Sequence, residues 1–448
     1  MPAHQATSVA PRQAPSWGRR LVGIEGLRGM AALTVIAFHV GHLTTPQVAT
    51  VGQFHVLQYF NQGLTLFFVL SGFLLFRPFV SSLIAGSRRP TARRFWTNRA
   101  LRIFPAYIVI VLVVNALGFS KTPNAGVEHP YGVVHGWQLL IDTLLLQGLQ
   151  PMTLRTGIEV AWTLSVELSF YLVLPVLAAV GFWLARRRLP ALVGALTPPL
   201  VLLVGALAGR YLLFEKLQGM GPVDAFAAQW GPTWTAVVAR SLFLHADLFA
   251  YGMLAAVLYV LIESGHIRRR AVRWMRPFFA LGALLALYGF FQGWGGAYGD
   301  GLVAITAALI LLTAVVPGRN DKPGILGLFL ELAPVRWFGL ISYSAYLWHL
   351  PIIRWVQTNL PAAQDSRRGF LLSLALVLVL TTAFSALTYY AVETPALKLK
   401  AWFMARAKLR RAEAEPEQAP AADLVPVATP DAESEAGAAD PKPVNVGV

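Results

Sequence analysis

Arg28 and His39 are the two residues of this sequence whose types and spacing most directly suggest chemistry. They lie eleven residues apart in the run RGMAALTVIAFH, which is otherwise almost entirely aliphatic. In a helix with a rise of 1.5 Å per residue that separation is roughly 16 Å, about half of the hydrocarbon core of a membrane. An ionisable side chain near mid-membrane is costly without a partner or a water-filled cavity, so the pair is a candidate catalytic site. A packing histidine is the structural alternative.

Glu167 provides a carboxylate at a comparable depth. It lies five residues after Trp162, roughly 7 Å into the apolar segment that begins there. A carboxylate beside an imidazole orients the ring and allows it to act as a general base, so we expect Glu167 to approach His39. A salt bridge that holds two helices together is the alternative interpretation.

Arg99 and Arg102 form a second candidate site. Their i, i+3 spacing places both guanidinium groups on one face of a helix, directly before an apolar segment. Each guanidinium offers a planar fork of donors, so the pair is suited to binding phosphate. Basic residues at this position are also what membrane topology alone requires.

The composition indicates that the elements holding these side chains are membrane spans. The chain has 448 residues, of which 56% are hydrophobic and 13% charged, whereas soluble domains typically have about 25% charged residues. The mean hydropathy is +0.56. We therefore predict an all-α fold, a polytopic membrane helix bundle of about ten transmembrane helices. The apolar segments lie near residues 27–46, 62–84, 103–119, 162–185, 189–213, 237–262, 277–293, 300–317, 336–357 and 369–392.

The positive charge is distributed as in a multi-pass protein of the cell membrane. A formal net charge of +15 does not predict nucleic-acid binding here, because Lys and Arg concentrate in short gaps between apolar segments. Alternate gaps are the basic ones, which predicts that the N- and C-termini are both cytoplasmic. These gaps are 86–102, 186–188, 268–276, 319–336 and 398–411. Arg367 and Arg368, on the opposite side, are a mild exception.

The two ends of the chain differ in composition from its middle. Residues 1–20 predict a disordered cytoplasmic arm, residues 21–400 the transmembrane domain, and residues 401–448 a basic juxtamembrane segment followed by a disordered acidic tail. We expect no cleavable signal peptide. The sequence has no cysteine, which excludes disulfides and thiol catalysis. It has no histidine cluster with metal-ligand spacing, so no metal is expected.

Six motifs in chain order resemble membrane acyltransferase family 3 over roughly residues 20–400. They are Arg28 with His39, FFVLSGFLL in the second span, Arg99 with Arg102 before IFPAY, WTLSVE followed by Phe170 and Tyr171, SYSAYLWHLP, and VETP after the last span. The resemblance implies an integral-membrane O-acyltransferase that moves an acyl group, commonly acetyl, from cytoplasmic acyl-CoA. The acceptor it implies is a hydroxyl group of an envelope carbohydrate, a lipid-linked glycan or a secreted glycosylated metabolite. Acyl-CoA would be a donor substrate and not a permanently bound cofactor.

The resemblance also implies roles for individual residues. Arg28 and His39 would be the essential pair, Glu167 would belong to the reaction chamber, and Arg99 with Arg102 would bind CoA. We further expect the substrates to be contacted by Trp162, Tyr171, His349 and Glu393. For His349 the alternative is an interfacial position in an aromatic belt, and for Glu393 it is an ion pair with Arg28. Whether His39 would act as a general base or as a transient acyl carrier is left open.

Many members of this family carry an additional extracytoplasmic hydrolase-like domain. This chain resembles the stand-alone type, which would complete transfer in its membrane part, beside membrane lipid, or with a separate extracytoplasmic partner. A secondary transporter or a lipid-linked glycan flippase is the alternative function, since buried His and Glu residues also suit a coupling path. The absence of internal sequence symmetry argues against that alternative.

Overall fold

A computed structural model describes residues 20–51, 54–123, 131–316, 322–360, 365–399, 401–402 and 406. Within these ranges the chain is almost entirely helical, and the strands, Ser120–Lys121 and Tyr131–Gly132, form one short antiparallel pair. The all-α prediction is therefore confirmed. The chain divides into the units Met1–Lys400 and Ala401–Val448, and the fold below concerns the first. Most of the predicted arm and acidic tail lies outside the described residues.

The described part of the chain contains ten helices of 17 residues or more, which we number α1 to α10. They are α1 Ile24–Thr44, α2 Gly63–Ile84, α3 Ala92–Ala116, α4 Trp162–Arg186, α5 Ala191–Leu217, α6 Leu242–Glu263, α7 Arg269–Phe291, α8 Gly299–Val315, α9 Ala333–Asn359 and α10 Arg367–Thr388. Short α-helices are Pro46–Thr50, Gly136–Thr143, Pro222–Trp230, Trp234–Ala239 and Ile325–Leu330. Single-turn or 3₁₀ elements are His55–Gln62, Gln147–Leu149, Pro151–Thr153, Glu159–Ala161 and Gly296–Tyr298, and a π-turn spans Tyr389–Glu393.

Each long helix overlaps one predicted apolar segment. The largest difference is at α3, which begins at Ala92 and not near residue 103. The helix extends through the basic residues because arginine is a good helix former. Arg99 and Arg102 consequently lie inside α3, one turn apart, as their spacing predicts.

Eight of the described helices are long and apolar enough to cross a membrane. The other two are α8, which has 17 residues, and α9, which is long but contains several polar residues. α9 is enclosed by the rest of the bundle, since every residue from 341 to 353 is buried. A helix surrounded by protein can carry polar side chains that a lipid-facing helix cannot. The protein is thus a multi-pass membrane protein with a polar helix at its centre.

Glycines bring the central helices unusually close together. α1 packs against α9, and α2 packs against α6. A methyl group added at Gly339 would lie 1.8 Å from the Glu25 carbonyl oxygen, and one added at Gly252 would lie 2.0 Å from the Val69 carbonyl oxygen. Small residues at such crossings allow backbones to approach closely. The Gly339 crossing fixes the position of α1, with Arg28 and His39, against α9.

The described parts of the connection between α3 and α4, residues 117–123 and 131–161, pack against the bundle. Its helix, Gly136–Thr143, ends just before Leu145, which adopts a left-handed φ of 60°. Asn115 anchors the connection by pairing with both backbone groups of Val134, at 2.7 and 2.9 Å. Asp142 is 1% exposed. These contacts hold the connection over one end of the helices.

Candidate active site

Two neighbouring cavities gather most of the predicted site residues. The larger, about 640 Å³, is lined by His39, and we refer to it as the His39 cavity. The smaller, about 100 Å³, is lined by Arg28, and we refer to it as the Arg28 cavity. Leu64, Thr163 and Tyr346 line both cavities, so they form the wall between them.

Thr163 and Tyr346 close this wall through their hydroxyl groups. The two oxygens lie 2.9 Å apart. Both also lie within hydrogen-bonding distance of the Val160 carbonyl oxygen, at 2.9 Å for Thr163 and 3.2 Å for Tyr346. The Tyr346 side chain thus lies between the two cavities and is held there by these hydrogen bonds.

His39 lies five residues before the end of α1, with its ring held by two contacts of Nδ1. This atom is 3.0 Å from the Val35 carbonyl oxygen and 3.2 Å from Nε2 of His349. Nδ1 of His349 is in turn 2.6 Å from the Tyr346 carbonyl oxygen. His349 is completely buried.

These contacts determine the tautomers of the two neutral imidazoles. A carbonyl oxygen only accepts, so Nδ1 of His349 donates to Tyr346 and its Nε2 carries the lone pair. Nδ1 of His39 then donates, shared between the Val35 carbonyl and Nε2 of His349. The remaining nitrogen of His39, Nε2, carries a lone pair and has no hydrogen-bond partner among the described residues. A neutral imidazole in this state can accept a proton or act as a nucleophile.

The expected pairing of Glu167 with His39 is wrong. Glu167 Oε1 accepts hydrogen bonds from Ser71 Oγ at 2.6 Å and from Tyr171 OH at 2.5 Å, and it lines the Arg28 cavity. The physical reason lies in the positions along α4. Thr163 stands in the wall between the cavities, and Glu167, one turn further along the helix, falls on the far side of that wall from His39.

The Arg28 cavity combines three guanidinium groups with one carboxylate. Arg28, Arg99, Arg102 and Glu167 all line it. Arg28 and Arg99 make no hydrogen bond or ion pair with any described residue, and Nε of Arg99 is buried without a partner. Unpaired arginines in a confined space bind anions, with carboxylate and phosphate as the best geometric match.

Glu393 pairs with a different arginine from the one expected. Its Oε2 lies 3.6 Å from Nη1 of Arg102, and its Oε1 accepts from Ser344 Oγ at 2.6 Å. The expected ion pair with Arg28 is therefore wrong. The reason is that the π-turn Tyr389–Glu393, which ends with this residue, packs against α3, the helix that carries Arg102.

Glu159, which the sequence analysis did not single out, organises the rim of the His39 cavity. It is 6% exposed and accepts from Lys121 Nζ, Arg155 Nη2 and Tyr131 OH at 2.7 Å each, and from Arg354 Nη2 at 3.3 Å. Burial lowers the pKa of Lys121, although the carboxylate opposes that change, and burial raises the pKa of the Tyr131 phenol. The cluster ties the 117–161 connection to α9.

Residues 21–390 match the model of a family described as an acyltransferase domain. The chain belongs to this acyltransferase family. The match spans most of the chain and includes all ten long helices. It ends at residue 390, before the end of the last apolar span, Arg367–Leu399. The family resemblance carried by the six motifs is thereby confirmed.

Three curated relatives illustrate the similarity of this chain to known members of the family. Peptidoglycan O-acetyltransferase OatA of Listeria monocytogenes is 24% identical over 387 residues, covering 84% of this chain and 55% of the relative. Acyltransferase MdmB of Streptomyces mycarofaciens is 27% identical over 394 residues, covering 85% and 92%. O-acetyltransferase OatA of Staphylococcus aureus is 23% identical over 389 residues, covering 85% and 58%. The chain thus spans about half the length of the OatA relatives. No solved structure shows a significant match.

The structure separates the predicted site residues into three groups. His39 and Trp162 line the His39 cavity. Those that line the Arg28 cavity are Arg28, Arg99, Arg102, Glu167 and Tyr171. His349 and Glu393 line neither cavity and lie behind His39 and Arg102 respectively. A position for His349 in an interfacial belt is wrong, because the side chain is fully buried.

Tyr346 is a functional candidate that the sequence analysis did not single out, although the sequence contains a signal for it. It precedes His349 by three residues in SYSAYLWHLP, so both side chains project from the same face of α9. The wall residue and the partner of His39 are thus one helical turn apart. Glu159 lies three residues before the motif that begins at Trp162, and no pattern in the sequence marks it as a functional residue.

Proposed function

We propose that this chain is an integral-membrane O-acyltransferase that uses cytoplasmic acyl-CoA, in the simplest case acetyl-CoA, as donor. The acceptor would be a hydroxyl group of a cell-envelope carbohydrate or a related glycosylated molecule. The single observation that carries the proposal is the pair of adjoining cavities, with a histidine lone pair in one and unpaired arginines in the other. The names of the relatives support acyl transfer and, for OatA, a peptidoglycan acceptor.

The Arg28 cavity suits the donor side. The positive-inside rule assigns the end of the bundle with the basic gaps, where α1 begins, to the cytoplasm. Arg28 and Arg99 make no ion pair with a described carboxylate, and the single carboxylate of the lining, Glu167, leaves the cavity with a positive excess that phosphate groups of CoA would offset. A volume of about 100 Å³ holds only part of the donor. We assign Arg102 the same role, with Glu393 fixing its orientation from behind.

The His39 cavity suits the acceptor side. His39 Nε2 would take the proton of the acceptor hydroxyl while that oxygen attacks the thioester carbonyl carbon. The carbon–sulfur bond then breaks, the CoA sulfur leaves as thiolate, and the proton on His39 passes to it. In the alternative order, Nε2 attacks the thioester carbonyl carbon first, the carbon–sulfur bond breaks and CoA leaves as thiolate. The acceptor oxygen then displaces the imidazole from the acyl group, and the proton of the acceptor hydroxyl passes to the thiolate. Both orders require the wall at Tyr346 to open.

Glu167 and Tyr171 would act on the donor side and not as partners of His39. The carboxylate already accepts hydrogen bonds from Ser71 and Tyr171, which keeps it in place opposite Arg28. In that position it limits the positive charge of the Arg28 cavity. We assign Glu167 a positioning role toward Arg28 and keep the proton transfer with His39.

The experiment that tests this function is thiol release by the purified chain in lipid nanodiscs. The chain is given acetyl-CoA labelled in the acetyl group, with and without peptidoglycan fragments or a lipid-linked glycan extract. We expect thiol release to rise with the acceptor and the label to appear in the carbohydrate fraction. A transporter or flippase would move glycan across the bilayer without thiol release, and that result would contradict the proposal.

A further inference from the structure

The His39 cavity carries more positive charge than its own carboxylates neutralise. Four arginines line it, with two carboxylates, so the described lining has a net charge of +2 with neutral histidines. Glu159 pairs with Arg155 at 2.7 Å and with Arg354 at 3.3 Å. Arg210 pairs with Asp300 and with Asp247, each at 3.2 Å. The remaining arginine of the lining is Arg240.

Arg240 is a buried cation that has no carboxylate partner among the described residues. Its side chain lies just before α6, and the residue is 5% exposed. Nη1 donates to the carbonyl oxygens of Gln229 and Ala236. Nε is buried without any partner, and no described group accepts from Nη2. Arginine does not lose its proton in proteins, so the charge persists in the cavity wall.

Two tryptophans surround the guanidinium of Arg240. The guanidinium carbon lies 3.9 Å from the centre of the Trp230 ring and 5.7 Å from the centre of the Trp162 ring. These ring faces hold the planar group in place and partly offset its charge. Arg155 approaches the Trp230 ring as well, at 5.4 Å. The guanidinium is therefore oriented before any ligand arrives.

Nη2 of Arg240 is the donor that remains available to an oxyanion in the cavity, with the buried and unpartnered Nε beside it. Nε and Nη2 are the parallel donors with which arginine binds two oxygens of one carboxylate or phosphate group. Nη1, the nitrogen that such binding does not need, is the one occupied by backbone carbonyls. A buried charge left unpaired is costly, so an arriving anion gains from completing the pair.

We propose that the acceptor that enters the His39 cavity carries an anionic group, a carboxylate or a phosphate, which binds to Arg240. This inference rests on the proposed function, because it treats the ligand of the His39 cavity as the acyl acceptor. It adds a specificity-determining residue to the site. It restricts the acceptors to charged glycans, such as a sugar acid or a sugar phosphate, and disfavours neutral sugars. The proposal requires only that both Arg240 and His39 line one cavity, as they do.

Equilibrium binding tests the subsite without relying on turnover. The purified chain in nanodiscs is titrated with N-acetylmuramic acid, with the same sugar amidated at its carboxyl group, with N-acetylglucosamine, and with N-acetylglucosamine 1-phosphate. We expect at least tenfold tighter binding of one anionic ligand than of its neutral counterpart. The acid arm and the phosphate arm then identify which oxyanion is bound.

Variants assign the preference to Arg240. Arg240→Gln should remove the tenfold preference and leave the affinity for the neutral sugars unchanged, and Arg240→Lys should retain only part of it. Arg187→Gln, which removes an exposed arginine beside Trp183, is the matched charge control and should behave as the unmodified chain. Inorganic phosphate should compete with the preferred anion in the unmodified chain, a test that needs no variant to fold.

The failure of this inference can be told apart from failure of the proposed function. Equal binding of neutral and anionic sugars by the unmodified chain, or a full preference in folded Arg240→Gln, would overturn the subsite even if acetyl-CoA-dependent thiol release is observed. If Arg240→Gln abolishes the preference but the unmodified chain releases no thiol, the subsite is supported and the proposed acyl transfer is contradicted.

Discussion

His349 Nε2 lies 3.2 Å from His39 Nδ1, and this contact between α9 and α1 leaves Nε2 of His39 as the nitrogen with a free lone pair. Residues 310 positions apart in the chain are thus joined in one hydrogen-bonded unit. His349 in turn is held by the Tyr346 carbonyl oxygen, so α9 supplies both the partner of His39 and, through the Tyr346 side chain, part of the wall between the cavities. The unit provides a base whose tautomer is set before substrates bind.

His349 is therefore predicted to act as a positioning residue. His349→Phe removes one of the two acceptors of the His39 Nδ1 proton and leaves only the Val35 carbonyl oxygen. We expect kcat to fall about 10- to 100-fold, as for loss of a partner that orients a catalytic imidazole. The KM for acyl-CoA should not change, because His349 lines neither cavity. Steady-state kinetics over a range of pH measures both quantities.

The conservative variant His349→Gln separates positioning from simple packing. A glutamine oxygen can accept from His39 Nδ1, so partial recovery of kcat is expected relative to His349→Phe. Normal turnover by both variants would reject the positioning role. A fall in kcat accompanied by a rise in the KM for acyl-CoA in both variants would reject it as well.

Arg99 is predicted to contribute to donor binding. Arg99→Ala removes an unpaired guanidinium from the Arg28 cavity, and loss of a charge-assisted contact of about 1.5–3 kcal/mol corresponds to a roughly 10- to 100-fold rise in the KM for acyl-CoA. The acceptor KM should change little. The control is Arg94→Ala, an exposed arginine on the same helix. Equal effects on the donor and acceptor KM would argue against a donor site.

Gly339 is predicted to be required for the close approach of α1 and α9. Gly339→Ala would place a methyl group 1.8 Å from the Glu25 carbonyl oxygen, so the helices must separate. We expect a loss of stability of about 1–3 kcal/mol, typical of overpacking, together with loss of the His39–His349 contact. Gly205→Ala is the control, since nothing lies within 4 Å of the added methyl group. Thermal unfolding in nanodiscs compares the two, and an unchanged Tm for Gly339→Ala would refute the tight crossing.

Asp142 is predicted to make stability depend on pH. Burial raises the pKa of its carboxyl group from 3.8 to about 6, against hydrogen bonds from Thr156 and Gln138 that lower it. The folded state therefore binds this proton more tightly than the unfolded state. The stabilisation is fully present below about pH 4 and is lost as the pH rises through about 6, with a total of up to about 3 kcal/mol.

The Asp142→Asn variant isolates that contribution. Between pH 4.5 and 7.5 the difference in Tm between the unmodified chain and Asp142→Asn should shrink or reverse as the pH rises. Parallel pH profiles for the two proteins would show that Asp142 does not titrate in this range.

The sequence predicts the positions of the helices well because hydropathy is a local property. Arg99 and Arg102 lie one turn apart on α3 as their spacing requires. Depth along a helix also follows from the sequence, since each residue adds a fixed rise. The sequence does not show which neighbouring helix a side chain faces.

The errors at the site come from that missing direction. Glu167 and His39 were expected to meet because their depths are similar, yet Thr163 and Tyr346 stand between them. His349 was considered interfacial because of the adjacent Trp348, whereas the glycine crossing at Gly339 places α9 in the middle of the bundle. Which helices are neighbours depends on such close approaches between distant segments, and no local pattern encodes them.

In the proposed function His39 performs acyl transfer from acyl-CoA. The most direct test of this role compares a variant that lacks His39 with one that lacks a similar histidine, His42. His42 lies on the same helix, and its Nδ1 contacts the Phe38 carbonyl oxygen at 3.1 Å in the way that Nδ1 of His39 contacts Val35. It does not line the His39 cavity. The measurement is acceptor-dependent release of CoA thiol from acetyl-CoA by His39→Ala and His42→Ala, each purified in nanodiscs with its membrane insertion verified. We predict a loss of at least about 100-fold for His39→Ala, as for removal of a general base, and near-normal release for His42→Ala. Normal thiol release by inserted His39→Ala would contradict the account.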